Sequence, residues 1–189
     1  DTEMRRVAKV INFGILYGMG VNALRAQLGT TTAEARNFYN EYFKRFQGLA
    51  HYLERTKASA ARTGYTETMF GRRRYFEGLR SPLPFVKAAA ERMAINAPLQ
   101  GTQADIIKLA MVRIDALIDE RGWRESAYMM LQIHDELIFE VRTEILEEAA
   151  RAIRDVMQGV LTKKETHHVP LSVAIHRGKN WGETTILKL

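Results

Sequence analysis

Tyr128-Met129-Met130-Leu131-Gln132-Ile133-His134-Asp135-Glu136-Leu137-Ile138-Phe139-Glu140-Val141 is an apolar run interrupted by Gln132, His134, Asp135, Glu136 and Glu140 alone. β-Branched, aromatic and long apolar side chains on both sides of a polar centre read as a hairpin over 128–141 that turns at His134-Asp135-Glu136. The sequence before it is helical in period, so a run of helices leads into a strand pair. That order predicts an α+β chain with an antiparallel sheet in its second half.

Working upstream, residues 3–17 have two helical rows. Val7, Val10, Ile11 and Ile15 form one, and Arg5, Lys9, Phe13 and Tyr17 form the other at i, i+4 spacing. Gly18 and Gly20 close this helix, and a short second helix spans 21–28 before Gly29. Thr31 with Glu34 three residues later signals a capping box. The helix it opens carries Phe38, Tyr42 and Phe46, read as core. A fourth helix covers 49–62 up to Gly64. Tyr65 to Phe70 is strand-like, and 72–76 returns past Gly71 as a hairpin arm or extended loop. Helical periodicity resumes over 85–96 and 99–121, and Pro98 between them predicts a break or kink. Downstream of the central hairpin, 144–161 reads as a helix and 171–175 as a last strand. The first helix starts almost at residue 1 with nothing before it to cover its apolar face, so the chain reads as part of something longer.

Composition narrows the chemistry. The 189 residues carry 28 Lys and Arg against 22 Asp and Glu, a net charge of +6 that suits a polyanionic partner such as nucleic acid. Arg5, Arg6 and Lys9 cluster at one point and Arg72, Arg73 and Arg74 at another, as phosphate tracking requires, although a solvated basic face shows the same pattern. With no cysteine, any metal must be held by oxygen or imidazole, which favours a hard cation such as Mg²⁺. No stretch approaches the ~20 apolar residues of a membrane helix, and the expectation is a soluble, cytoplasmic protein with no membrane partner.

Two constellations carry chemistry. Arg5, Lys9, Phe13 and Tyr17 drift by about 40° per step and form one oblique stripe, two cations followed by two rings. Such a stripe can hold nucleotide phosphates at one end and meet sugar and base at the other; it also fits surface cations leading into core aromatics. Asp135 and Glu136 put two acids at a tight turn between apolar strands, where a cation would offset the cost of buried carboxylates. An Asp in an ordinary hairpin turn is the plainer alternative.

Arg5-x-x-x-Lys9-x-x-x-Phe13-Gly14-x-x-Tyr17-Gly18 resembles motif B of family A DNA polymerases, the polymerase I-like family, and Gln132-x-His134-Asp135-Glu136 resembles its motif C. Between them, Phe70-Gly71-Arg72-Arg73-Arg74 and Arg92-x-x-x-Asn96-x-x-x-Gln100-Gly101-Thr102-x-Ala104-Asp105 resemble family segments in the family's order. Several ordered matches are far more specific than any single motif.

The resemblance implies template-directed DNA synthesis in replication or repair, by two-metal phosphoryl transfer with Mg²⁺, two ions in the complete active site. Residues 1–80 would be a helical fingers region and 81–189 the C-terminal half of a palm. Arg5 and Lys9 would bind the incoming deoxynucleoside triphosphate, Lys9 also donating a proton to pyrophosphate. Phe13 would meet the sugar, and Tyr17 would stack at the insertion site. Asp135 would ligate metal with Glu136 nearby, and His134 would lie beside the primer terminus. Arg72, Arg73 and Arg74 would contact phosphates of primer-template DNA. Arg92, Asn96 and Gln100 would face the minor groove, whose acceptors stand in similar places on every base pair and report pairing geometry rather than sequence. A family A site also needs an aspartate from motif A, and no such motif occurs in these residues. The expectation is therefore a segment whose partner is the N-terminal part of a polymerase and which is inactive when isolated. The competing reading is a catalytically inactive nucleic-acid-binding remnant.

Overall fold

The apolar row Val7, Ile11 and Ile15 decides the first helix, α1 (Thr2–Leu16), because Ile11 and Ile15 are buried with Leu24 while Val7 packs against them. The computed structural model that shows this describes residues 2–189, with side chains from Met4 onward. Gly18 ends α1 in the left-handed region at φ 81°, where glycine has no Cβ to oppose it. Its N–H donates to the Ile15 carbonyl and that of Met19 to the Gly14 carbonyl, at 3.0 and 2.8 Å. This paired closure satisfies carbonyls that the helix end leaves open.

Next come α2 (Val21–Leu28), closed by Gly29 at φ 65°, and α3 (Thr32–Arg45). The capping box forms as expected: the Thr31 side chain accepts from the Glu34 N–H, and the Glu34 carboxylate accepts from the Thr31 N–H at 3.0 Å. Hydroxyl donation from Thr30 and Thr31 and the Thr31 N–H lower the Glu34 carboxyl to about 2. α3 departs from expectation in its choice of face. Ala35, Tyr39, Tyr42 and Phe43 meet the core, whereas Phe38 and Phe46 are exposed. The spacing 35, 39, 42, 43 follows the 3.6-residue period, while a strict fourfold row slides off that face by about 40° per step.

α4 (Gln47–Thr63) stops at Gly64, φ 82°. β1 (Tyr65–Glu67) then pairs antiparallel with β2 (Arg73–Tyr75), Thr66 opposite Arg74 and Glu67 opposite Arg73, so 72–76 does return as a hairpin arm. A short 3₁₀ turn, Glu77–Arg80, brings Leu79 onto a cluster with Ala60, Phe76, Ala90, Ala94 and Ala97.

α5 (Pro84–Glu120) begins with a proline at its first position and runs through Pro98 as one helix, so of the predicted break or kink no break occurs. Proline forfeits one hydrogen bond to the carbonyl four residues back. Ala94, Ile95 and Ala97 before it and Ile107, Ala110 and Ile114 after it are all buried, and packing on both sides offsets that loss. The chain divides into two compact units, 1–102 and 103–189, with the boundary inside α5.

In the second unit, β3 (Ala127–Ile133) pairs antiparallel with β4 (Glu136–Val141), Ile133 opposite Glu136, as the hairpin reading requires. Ala127, Met129, Leu137, Phe139 and Val141 lie against Ile114, Ile118, Trp123, Ala149 and Ile153. α6 (Leu146–Gln158) is shorter than the predicted 144–161: a 3₁₀ turn, Thr143–Ile145, precedes it, and Val160 and Leu161 are buried beyond its end. Arg113 of α5 donates to the carbonyls of Gly159 and Val160 at 3.1 Å, supplying partners at that helix end.

The predicted strand over 171–175 alternates in burial yet joins no ladder among the described residues. Pairing starts at its end, where the Leu187 N–H donates to the Ile175 carbonyl, and continues as β5 (His176–Asn180) with β6 (Glu183–Ile186). Alternation alone fixes which side chains turn inward; a ladder also needs a free edge. The architecture is α+β, mostly helical with small antiparallel sheets. Among the described residues no helix is long and apolar enough to cross a membrane.

Candidate active site

Burial of Ile11 and Ile15 turns the opposite side of α1 to solvent, and Arg5, Lys9, Phe13 and Tyr17 are all exposed there. The Lys9 ammonium lies 5.8 Å from the centre of the Phe13 ring, and the Phe13 and Tyr17 rings stack at 6.1 Å with planes 25° apart. Tyr17 is one residue past α1, but its N–H still donates to the Phe13 carbonyl at 2.9 Å, which keeps it in the row. The cations stand toward the helix N-terminus, whose partial positive charge adds to theirs. An elongated ligand with an anionic end and a ring at the other would match this order.

The first unit brings two other sequence features to the same neighbourhood. A Cβ on Gly18 would stand 2.9 Å from Cγ of Arg92, so the Arg92 stem lies across the end of α1. At Gly101 a Cβ would meet Cγ2 of Thr68 at 2.6 Å, and the Thr102 hydroxyl accepts from the Met69 N–H at 3.0 Å. The loop between β1 and β2 is thereby seated on α5 beside the Arg92, Asn96, Gln100 row. Arg92 and Gln100 are exposed; Asn96 is half-buried, with its side-chain oxygen buried and lacking a hydrogen-bond partner. Asn96 lies inside the continuous α5 and caps no helix end.

Arg72, Arg73 and Arg74 are exposed. Arg73 donates to the Glu67 carboxylate at 2.7 Å and covers the Tyr65 ring at 4.6 Å. Arg74 lies over the Phe76 ring at 5.3 Å. Arg73 is thus braced across the strand pair and already has a carboxylate partner.

In the second unit, β3 and β4 place His134, Asp135 and Glu136 at an exposed two-residue turn. His134 has φ 52°, the sign that tight hairpin turns favour at their first position. The Gln132 side-chain amide donates to the His134 carbonyl at 2.7 Å and holds that turn. Asp135 and Glu136 offer hard oxygen donors of the kind Mg²⁺ takes. In number they fall short, since no group of three acidic, histidine or cysteine side chains among the described residues could hold a metal ion.

Three contributors escaped the sequence reading. Gln132 and Thr102 stand in motifs that assign them no role, and Asn12 is named in none. The small Gly101 beside Thr102 was the one available signal of a close approach. Asn12 accepts from the Tyr42 hydroxyl at 2.7 Å, joining α1 to α3.

A family model described as DNA polymerase family A matches residues 1–183. The chain is 45% identical over 181 residues to DNA polymerase I of Pseudomonas aeruginosa, covering 96% of this chain and 19% of that protein. It is 44% identical over 181 residues to the thermostable DNA polymerase I of Thermus aquaticus, covering 96% of this chain and 21% of that one. Among solved structures, the POL domain of Pol1 from M. smegmatis in complex with DNA primer-template and dNTP matches with a TM-score of 0.84 at 40% identity. That match covers 91% of this chain and 29% of the other. The chain therefore spans about a fifth of the length of the curated relatives it matches.

Proposed function

Because the chain belongs to family A of the DNA polymerases, we propose that it provides the fingers, over 1–80, and the C-terminal half of the palm, over 81–189, of an enzyme that extends a DNA primer on a template. The observation that carries this reading is the exposed stripe of α1, two cations followed by two stacked rings. Primer-template DNA and a deoxynucleoside triphosphate, the molecules held by the M. smegmatis domain, are the partners proposed here. A cytoplasmic location, at the nucleoid in a bacterium, follows from those partners.

In this mechanism Arg5 and Lys9 bind the triphosphate, and the primer 3′-hydroxyl attacks the α-phosphate in line. Lys9 donates a proton to the departing pyrophosphate. Phe13 packs on the sugar, and Tyr17 occupies the insertion site until the nucleotide arrives. His134 lies beside the primer terminus. Asp135 would ligate Mg²⁺ with Glu136 close by, the remaining acid coming from outside these residues; the bound ions supply charge stabilisation for the entering and leaving oxygens. Arg92, Asn96 and Gln100 test pairing geometry from the minor groove, their guanidinium and amide N–H groups donating to its acceptors. Arg72, Arg73 and Arg74 meet backbone phosphate.

Single-nucleotide incorporation by the complete polymerase tests the assignment. Lys9→Ala lowers the rate strongly and Arg5→Ala weakens nucleotide binding, each about equally for all four nucleotides, because both act on phosphate charge. An effect confined to one base would contradict it. Binding of primer-template without any incorporation by the wild type would favour the non-catalytic alternative.

A further inference from the structure

α3 holds a second aromatic row that the mechanism does not use. Phe38 and Phe46 are 41% and 47% exposed, and with Tyr42 they form a continuous series of rings. The centres of Phe38 and Tyr42 are 6.4 Å apart with planes at 26°, and those of Tyr42 and Phe46 are 4.8 Å apart at 48°. Together with Glu41, Lys44 and Arg45 they line an open hollow of about 580 Å³. Lys44 is 3.5 Å from Glu41, so the rim keeps one net positive charge at Arg45. The Tyr42 hydroxyl donates to Asn12, the neighbour of Phe13, which fixes the middle ring relative to the nucleotide stripe.

We propose that this face of α3 is a stacking platform for unpaired nucleobases of the template strand ahead of the primer terminus. Every base offers a π-face, so a row of rings beside a cationic rim takes single strands without reading sequence. A duplex keeps its base faces inside its own stack and has none to give. An apolar protein surface laid on the rings would desolvate the Lys44–Glu41 pair and Arg45 beside them at a cost, whereas phosphate pairs with Arg45. That the strand is the template rests on the polymerase reading; that the platform takes unpaired bases does not.

The test uses the complete polymerase and primer-templates with 2-aminopurine at successive positions of a long 5′ overhang, with blunt duplex and oligothymidylate as separate arms. Stacking quenches the fluorescence at defined overhang positions in the wild type. The double variant Phe38→Ala, Phe46→Ala abolishes the quench and binds the long-overhang substrate and oligothymidylate about tenfold more weakly. Its affinity for blunt duplex is unchanged. Arg45→Gln keeps both rings and lowers the salt dependence of overhang binding. Equal losses on overhang and blunt substrates would show a merely structural role, and no quench in the wild type would show the rings to be covered by another segment; either overturns the proposal. If the wild type fails to extend a primer while the quench persists, the polymerase reading falls and the platform stands.

Discussion

Phe13 sits between the two kinds of chemistry on α1, with the Lys9 ammonium 5.8 Å from its ring on one side and the Tyr17 ring stacked on the other. If Phe13 packs on the sugar as proposed, a hydroxyl added at its para position can replace the hydrogen bond of a missing 3′-hydroxyl, the link between this position and dideoxynucleotide use that the family resemblance implies. Phe13→Tyr is therefore expected to raise incorporation of dideoxynucleotides relative to normal ones. Both substrates competing in one primer-extension reaction measure this, and an unchanged ratio would count against the placement of Phe13 at the sugar. The stripe was legible in the sequence because an i, i+4 row depends only on helical geometry. Asn12 and Thr102 were not, because their partners, Tyr42 and Met69, are 30 and 33 positions away in the chain.

Glycines separate local from tertiary control at the level of elements. Gly18 and Gly48 are both candidates for alanine, and the structure predicts opposite signs. At Gly18 the left-handed φ of 81° opposes any Cβ, at about 1–2 kcal/mol, and the new atom would press on the Arg92 stem. Gly48 lies inside α4 with nothing near a new Cβ, so alanine there gains roughly 0.5–1 kcal/mol. In thermal unfolding, Gly18→Ala lowers and Gly48→Ala raises the transition of the polymerase domain. Gly18→Ala also weakens primer-template binding through displacement of Arg92, and equal effects of the two substitutions would contradict this account. The caps at Gly29, Thr31 and Gly64 could be read directly, since capping is a short-range matter of hydrogen bonds and φ. The absence of a break at Pro98 and the misreadings at Phe38 and Phe46 and over 171–175 share a cause. In each, burial or a strand edge supplied by distant residues decided the outcome, and local periodicity contains neither.

For the molecule as a whole, the α+β class was legible in the order of elements: helices first, then the 128–141 hairpin. Family membership accounts for that order. The structure adds that the motif residues of the first unit are mutually braced, Arg92 on Gly18 and the β1–β2 loop on Gly101 and Thr102. It also shows Gln132 holding the His134 turn that presents Asp135. The central claim is that this turn brings a metal-ligating acid to a nucleotidyl-transfer site. Its most direct test is primer extension with Mg²⁺ by the complete polymerase, wild type beside Asp135→Asn, with primer-template affinity measured in parallel. The substitution removes a metal ligand and no phosphate contact. The predicted result is loss of incorporation with DNA binding held within a few-fold; near-normal turnover by Asp135→Asn would contradict the account.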